Sequence, residues 1–96
     1  MTANILVVDD EEDIRHLIGE ILRDEGFNCR EANGSDTAIS EIEIQKPDLI
    51  ILDIWLQTSG VDGLDLLKMI KEDCPELPVI MISGHADIET AVKAIK

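Results

Sequence analysis

Three short apolar runs in this chain each close on residues that can do phosphate or metal chemistry. Ile5-Leu6-Val7-Val8 runs into Asp9 and Asp10, Leu49-Ile50-Ile51-Leu52 into Asp53, and Val79-Ile80-Met81-Ile82 into Ser83. Two carboxylates about 4 Å apart repel by about 4 kcal/mol at an effective dielectric of about 20. Three such acids in one pocket need protons or a cation to relieve them. A hard divalent ion with oxygen ligands suits the set, and magnesium is typically held by one or two carboxylates plus phosphate oxygens. Asp9 and Asp10 can supply ligands, while Asp53 can give one oxygen to the metal and turn the other on phosphorus. The metal would neutralise the equatorial oxygens of a transferring phosphoryl group, with the pocket supplying alignment. Ser83 can donate a hydrogen bond to the new phosphoryl oxygen. The product would be a labile acyl phosphate on Asp53, which suits a signal that must decay.

The elements that must position these groups are legible. Runs so short and so rich in branched residues read as strands buried on both faces, as in a parallel sheet. The strands are expected over residues 4–9, 27–32, 48–53 and 78–83. The second is mixed in polarity and belongs at a sheet edge. Between the first two, Ile14, Leu17, Ile18, Ile21 and Leu22 recur at helical spacing, and Gly26 sits where a left-handed residue ends a helix at little cost. Asn33-Gly34 signals a turn, Ser35 can cap the next helix, and Ala38, Ile39 and Ile42 give its buried stripe. Lys46-Pro47 ends that helix. Asp62 can cap a third helix with Leu64, Leu67 and Ile70 on its buried side, and Ile88, Ala91, Val92 and Ile95 open a fourth. Right-handed crossovers then give an open, doubly wound α/β fold. A strand order of 2-1-3-4 makes strands one and three neighbours at the switch point, beyond whose carboxyl ends ligands bind. Asp9, Asp10 and Asp53 would share that pocket.

Composition bounds the partners. Ninety-six residues make one domain, and 45% apolar content allows a core. The net charge of −13, from 21 acids against 8 bases, argues against direct nucleic-acid binding by this domain. Most of these acids are expected to be solvated helix faces, Glu11, Glu12 and Asp13 among them. His16 reads as a solvated face residue. Cys29 and Cys74 have no metal or redox spacing and read as packing residues. No stretch is long enough to span a bilayer and no secretion signal opens the chain, so a cytoplasmic location and no membrane partner are expected.

The segments ILVVDDEEDIR, PDLIILDIWL and LPVIMISGHADIETAVKAIK together resemble the receiver domain of two-component response regulators, over the whole chain. The resemblance implies a flavodoxin-like topology and a phosphoryl group taken from the phosphohistidine of a sensor histidine kinase. It makes Asp53 the phosphoacceptor, Asp9 and Asp10 the magnesium pair, the backbone carbonyl of Trp55 a third protein ligand, and Ser83 the switch hydroxyl. Manganese would substitute for magnesium. The Asp53-Ile-Trp-Leu-Gln loop is similar to the NtrX-type, nitrogen-regulation group. There a receiver precedes an AAA+ module and a helix-turn-helix, which implies an output in transcription. By the same resemblance Trp55 and His85 flank the pocket mouth and can tune hydrolysis of the acyl phosphate; a packed aromatic and a capping imidazole are the plainer roles. Helix one, with Ile14, Leu17 and Ile18, is the expected docking element for the kinase. The family's pattern continues through the rest of helix four, a fifth strand with a lysine that contacts the phosphoryl group, and a fifth helix. The chain is therefore expected to stop inside helix four, leaving strand four as an apolar edge that invites self-association.

Two other classes are weighed against this reading. An aspartyl-nucleophile, metal-dependent phosphatase usually carries a general acid two residues after the nucleophile, where this chain has Trp55. A flavin or nucleotide binder needs a glycine-rich loop after strand one, where this chain has Asp9-Asp10-Glu11-Glu12.

Overall fold

The computed structural model describes residues 2–53 and 63–82. The elements are β1 (Asn4–Val8), α1 (Glu12–Asp24), β2 (Asn28–Ala32), α2 (Ser35–Ile44), β3 (Leu49–Asp53), α3 (Gly63–Asp73) and β4 (Val79–Ile82). All strand pairs are parallel, in the order β2-β1-β3-β4. This is the expected doubly wound α/β sheet, with β2 on one edge.

Strands β2, β3 and β4 begin one residue later than expected, and β1 ends one residue earlier because the polar residue after it takes a side-chain bond of its own. The Asp9 N–H still extends the ladder to the Ala32 carbonyl at 3.1 Å, but its carboxylate accepts the Glu11 N–H at 2.9 Å and turns the chain into α1.

Alternation along the strands divides the core between two faces. Leu6, Val8, Ile50 and Leu52 pack with Ala38 of α2 and with Leu66 and Ile70 of α3. Ile5, Val7 and Ile51 face the other way, against Ile18 and Leu22 of α1. Two of the sequence-derived stripes need correction. Leu17 is 44% exposed and Leu64 is 51% exposed. In α3 the buried line runs through Gly63, Leu66 and Ile70, so the helix is turned away from Leu64, and Leu67 only borders the core. In α1 it runs through Ile18, Gly19 and Leu22.

The helix ends follow local chemistry. Gly26 closes α1 at φ 94°, a conformation that favours glycine. Ser35 is not the cap of α2: Gly34 takes that position, while Ser35 is the first helical residue and is buried. The Thr37 hydroxyl supplies the cap, accepting the Gly34 N–H at 3.2 Å and donating to Asn33 Oδ1 at 2.8 Å. Gly19 has a packing reason: a Cβ there would lie 3.1 Å from Arg23 Nη1 and 3.2 Å from Glu31 Oε2.

The mixed polarity of β2 reflects two clamps on opposite faces. Arg30 donates to Asn4 Oδ1 at 3.2 Å, to the Glu41 carbonyl at 2.9 Å and to the Gln45 carbonyl, so it caps the carboxyl end of α2, whose last turn has no basic residue. Glu31 gathers cations from α1 on the other face. Arg30→Met is expected to cost about 1–2 kcal/mol through the lost charged hydrogen bonds, read as a lower urea midpoint at unchanged slope.

Candidate functional site

Parallel pairing brings the acids together. Val8 is in register with Leu52, so the residues that follow, Asp9 and Asp53, leave the sheet side by side at its carboxyl end. Asp9, Asp10 and Asp53 each offer a carboxylate oxygen, and these atoms all lie within 4.8 Å of one another. Asp48, at the opposite end of β3, accepts the Asn4 N–H at 2.7 Å and takes no part.

Asp9 is 3% exposed. Burial pushes its carboxyl up to about 6; the Glu11 N–H opposes that shift, while the negative charges of Asp53, Asp10 and Glu11 add to it. A carboxyl raised in this way is the signature of acids crowded where water cannot screen them. The donor set is oxygen throughout, with no histidine or thiol among the clustered residues. Oxygen-only donors fit magnesium or manganese rather than zinc.

The site has a support that the sequence reading missed. Arg15 of α1 donates from Nη1 to the Asp9 carbonyl at 3.0 Å, and its Nε is 3.3 Å from Glu31 Oε1. Glu31 also meets His16 Nδ1 at 2.7 Å and Arg23 Nη2 at 3.1 Å. His16, read from sequence as solvated, is half exposed and paired. The available signal was the charge pattern: a glutamate inside a strand, opposite Val7, facing a helix with three basic groups. Cys29 and Cys74 are half-buried, as expected of packing residues, and burial pushes the Cys29 thiol up to about 11. Ser83, Trp55, His85 and Asp62 lie outside the described residues, as does the fourth helix.

Among the described residues no helix is long and apolar enough to cross a membrane. A four-stranded parallel sheet of this order, with an acid triad at its carboxyl rim, is the arrangement of a phosphorelay receiver. The chain matches the response regulator receiver domain family over residues 5–96, and it belongs to that family. Within it, the chain is similar to regulators of the NtrX and NtrC type. It is 57% identical to the nitrogen assimilation regulatory protein NtrX of Azorhizobium caulinodans, across 100% of this chain and 21% of that protein. It is 36% identical to the DNA-binding transcriptional regulator NtrC of Salmonella typhimurium, across 94% of this chain and 19% of that protein. The crystal structure of the NtrX receiver domain from Brucella abortus superposes with a TM-score of 0.82 at 59% identity, covering 95% of this chain and 76% of that one. The chain thus spans about a fifth of the length of the curated relatives it matches. Family membership implies a part in phosphorelay signalling.

Proposed function

We propose that this domain, residues 1–96, accepts a phosphoryl group on Asp53 from the phosphohistidine of a sensor kinase, in a magnesium-dependent reaction, and so controls a downstream output module in transcription. The clustering of Asp9, Asp10 and Asp53 oxygens within 4.8 Å is the observation that carries this reading. Asp9, Asp10, Asp53 and the Trp55 carbonyl would hold the ion, with manganese as a substitute. Bound there, the ion supplies charge neutralisation for the phosphoryl oxygens.

The chain's own groups do the rest. An Asp53 carboxylate oxygen attacks phosphorus in line with the departing imidazole nitrogen. The new O–P bond forms as the N–P bond breaks, and the imidazole keeps that electron pair and departs neutral because its other nitrogen carries a proton. The Ser83 hydroxyl donates to a phosphoryl oxygen of the product. Attack by water later returns Asp53 and inorganic phosphate, with Trp55 and His85 tuning its access. The domain therefore acts as a phosphoacceptor that assists its own modification and decay, not as a turnover enzyme.

Helix α1 supports the docking part of the proposal. Its first turn is acidic, through Glu12 and Asp13, and Leu17 stands exposed beside the buried line. An exposed leucine next to acids suits the apolar and basic surface of kinase helices. Self-association belongs to the proposal too: among the described residues β4 is an edge strand, with Val79, Ile80 and Met81 half-buried. A clean monomer by light scattering would count against it. The remaining parts are a cytoplasmic location and AAA+ and helix-turn-helix output modules in a longer parent.

Incubation with acetyl phosphate and magnesium, followed by intact mass spectrometry, tests the central step. One phosphoryl adduct is expected on the wild type and on Asp48→Asn, and none on Asp53→Asn or after chelation of the metal. An adduct that survives Asp53→Asn would remove Asp53 from its role.

A further inference from the structure

We propose that Arg15 is a positioning residue for the acidic site, holding the Asp9 backbone so that its carboxylate stands in ligating position. The inference rests on the divalent-cation reading above. The backbone of Asp9 is fixed on both sides of its Cα. Its N–H donates to the Ala32 carbonyl at 3.1 Å, and its own carbonyl accepts Arg15 Nη1 at 3.0 Å. Its carboxylate is aimed by a third bond, from the Glu11 N–H at 2.9 Å.

Arg15 is itself held. Its side chain is 14% exposed, and Nε lies 3.3 Å from Oε1 of Glu31, which is 16% exposed. The other oxygen of Glu31 is occupied by Arg23 at 3.1 Å. Strand β2 therefore reaches Asp9 by two routes: directly through Ala32, and through Glu31 and the Arg15 guanidinium. A planar guanidinium can bridge a carboxylate and a carbonyl with two different nitrogens in fixed geometry; a lysine ammonium on a flexible stem cannot reproduce both contacts.

Positioning and simple electrostatics predict opposite signs. Arg15 is a cation near a cation site, so deleting its charge alone would strengthen metal binding. If Arg15 positions Asp9, deletion weakens binding instead. Partners one shell out from a metal ligand typically change affinity by 10-fold or more.

The test is calorimetric titration of magnesium, with manganese in parallel, into the full chain. Arg15→Ala and Arg15→Lys are expected to raise the magnesium Kd by about 10-fold. Arg23→Ala also removes a cation from Glu31 but touches nothing on Asp9, and is expected to leave Kd within about twofold while lowering the melting temperature. Arg15→Lys keeps the charge, so it remains informative where Arg15→Ala fails to fold. Wild-type affinity in Arg15→Lys, or tighter binding in Arg15→Ala, would overturn the positioning role alone. No binding by the wild type would overturn the metal reading, and this inference with it.

Discussion

At about pH 7.5 and without divalent cations, Asp9→Asn is expected to be more stable than the wild type by on the order of 3 kcal/mol, the free energy of moving the carboxyl from 3.8 to about 6. The direction follows from linkage. Asp9 has its pKa raised in the folded chain, chiefly by burial. Below about pH 4 the group is protonated in both states and contributes no penalty. Between pH 3.8 and about 6 the unfolded chain releases the proton while the folded chain retains it, so stability falls as pH rises. Above that window the folded protein carries a buried charge among like charges, and the full penalty applies. Asparagine removes the charge and keeps an oxygen for the Glu11 N–H. Denaturant melts from about pH 4 to pH 8 should show the wild type losing stability across this window and Asp9→Asn losing much less. Magnesium should reverse the order when it is well in excess: a ligand at about 1,000 times its Kd adds about 4.1 kcal/mol to the wild type. Asp9→Asn should gain little. A wild type whose stability is flat from pH 4 to pH 7 would remove the charge-crowding argument.

The sheet and the acid triad were legible in the sequence for one reason. Both-face burial writes each central strand as an unbroken apolar run, and a parallel sheet puts the residue after each run on one rim. Asp9 and Asp53 follow from that rule together with the order β2-β1-β3-β4. Helix phase was less legible. Leu17 and Leu64 fit a helical spacing as well as their buried neighbours do, and only the packing of Ile18 and Leu66 against the sheet selects the face. The cap of α2 went to Thr37 rather than Ser35 because Gly34 takes the extended conformation at the cap position. Arg15, Arg30 and Glu31 were hard to read for a different reason: their partners lie 6–26 residues away in sequence, outside the element that carries them, and a charged side chain in isolation reads as solvated surface.

Leu52→Ala is expected to cost about 3–4 kcal/mol and Ile51→Ala a similar amount, the range for truncating fully buried aliphatic side chains. Both residues are 0% exposed, and they face opposite layers. Leu52 packs in the layer of Ala38, Leu66 and Ile70, and Ile51 in that of Ile18 and Leu22. Small domains have about 5–15 kcal/mol in all, so either cavity takes a large share and should appear as a strongly lowered denaturant midpoint. Leu52→Met keeps volume and should cost less than about 1.5 kcal/mol. The two truncations also bear on function, because these residues immediately precede Asp53 and set where it leaves the sheet. Saturating magnesium should recover part of the lost stability in both, since the acid cluster re-forms whenever the strand does. A truncation that left the midpoint unchanged would mean that the layer it faces does not close on the sheet as described. Loss of magnesium rescue in Leu52→Ala alone would instead show that the layer beneath α2 and α3 is the one that fixes Asp53 in register with Asp9.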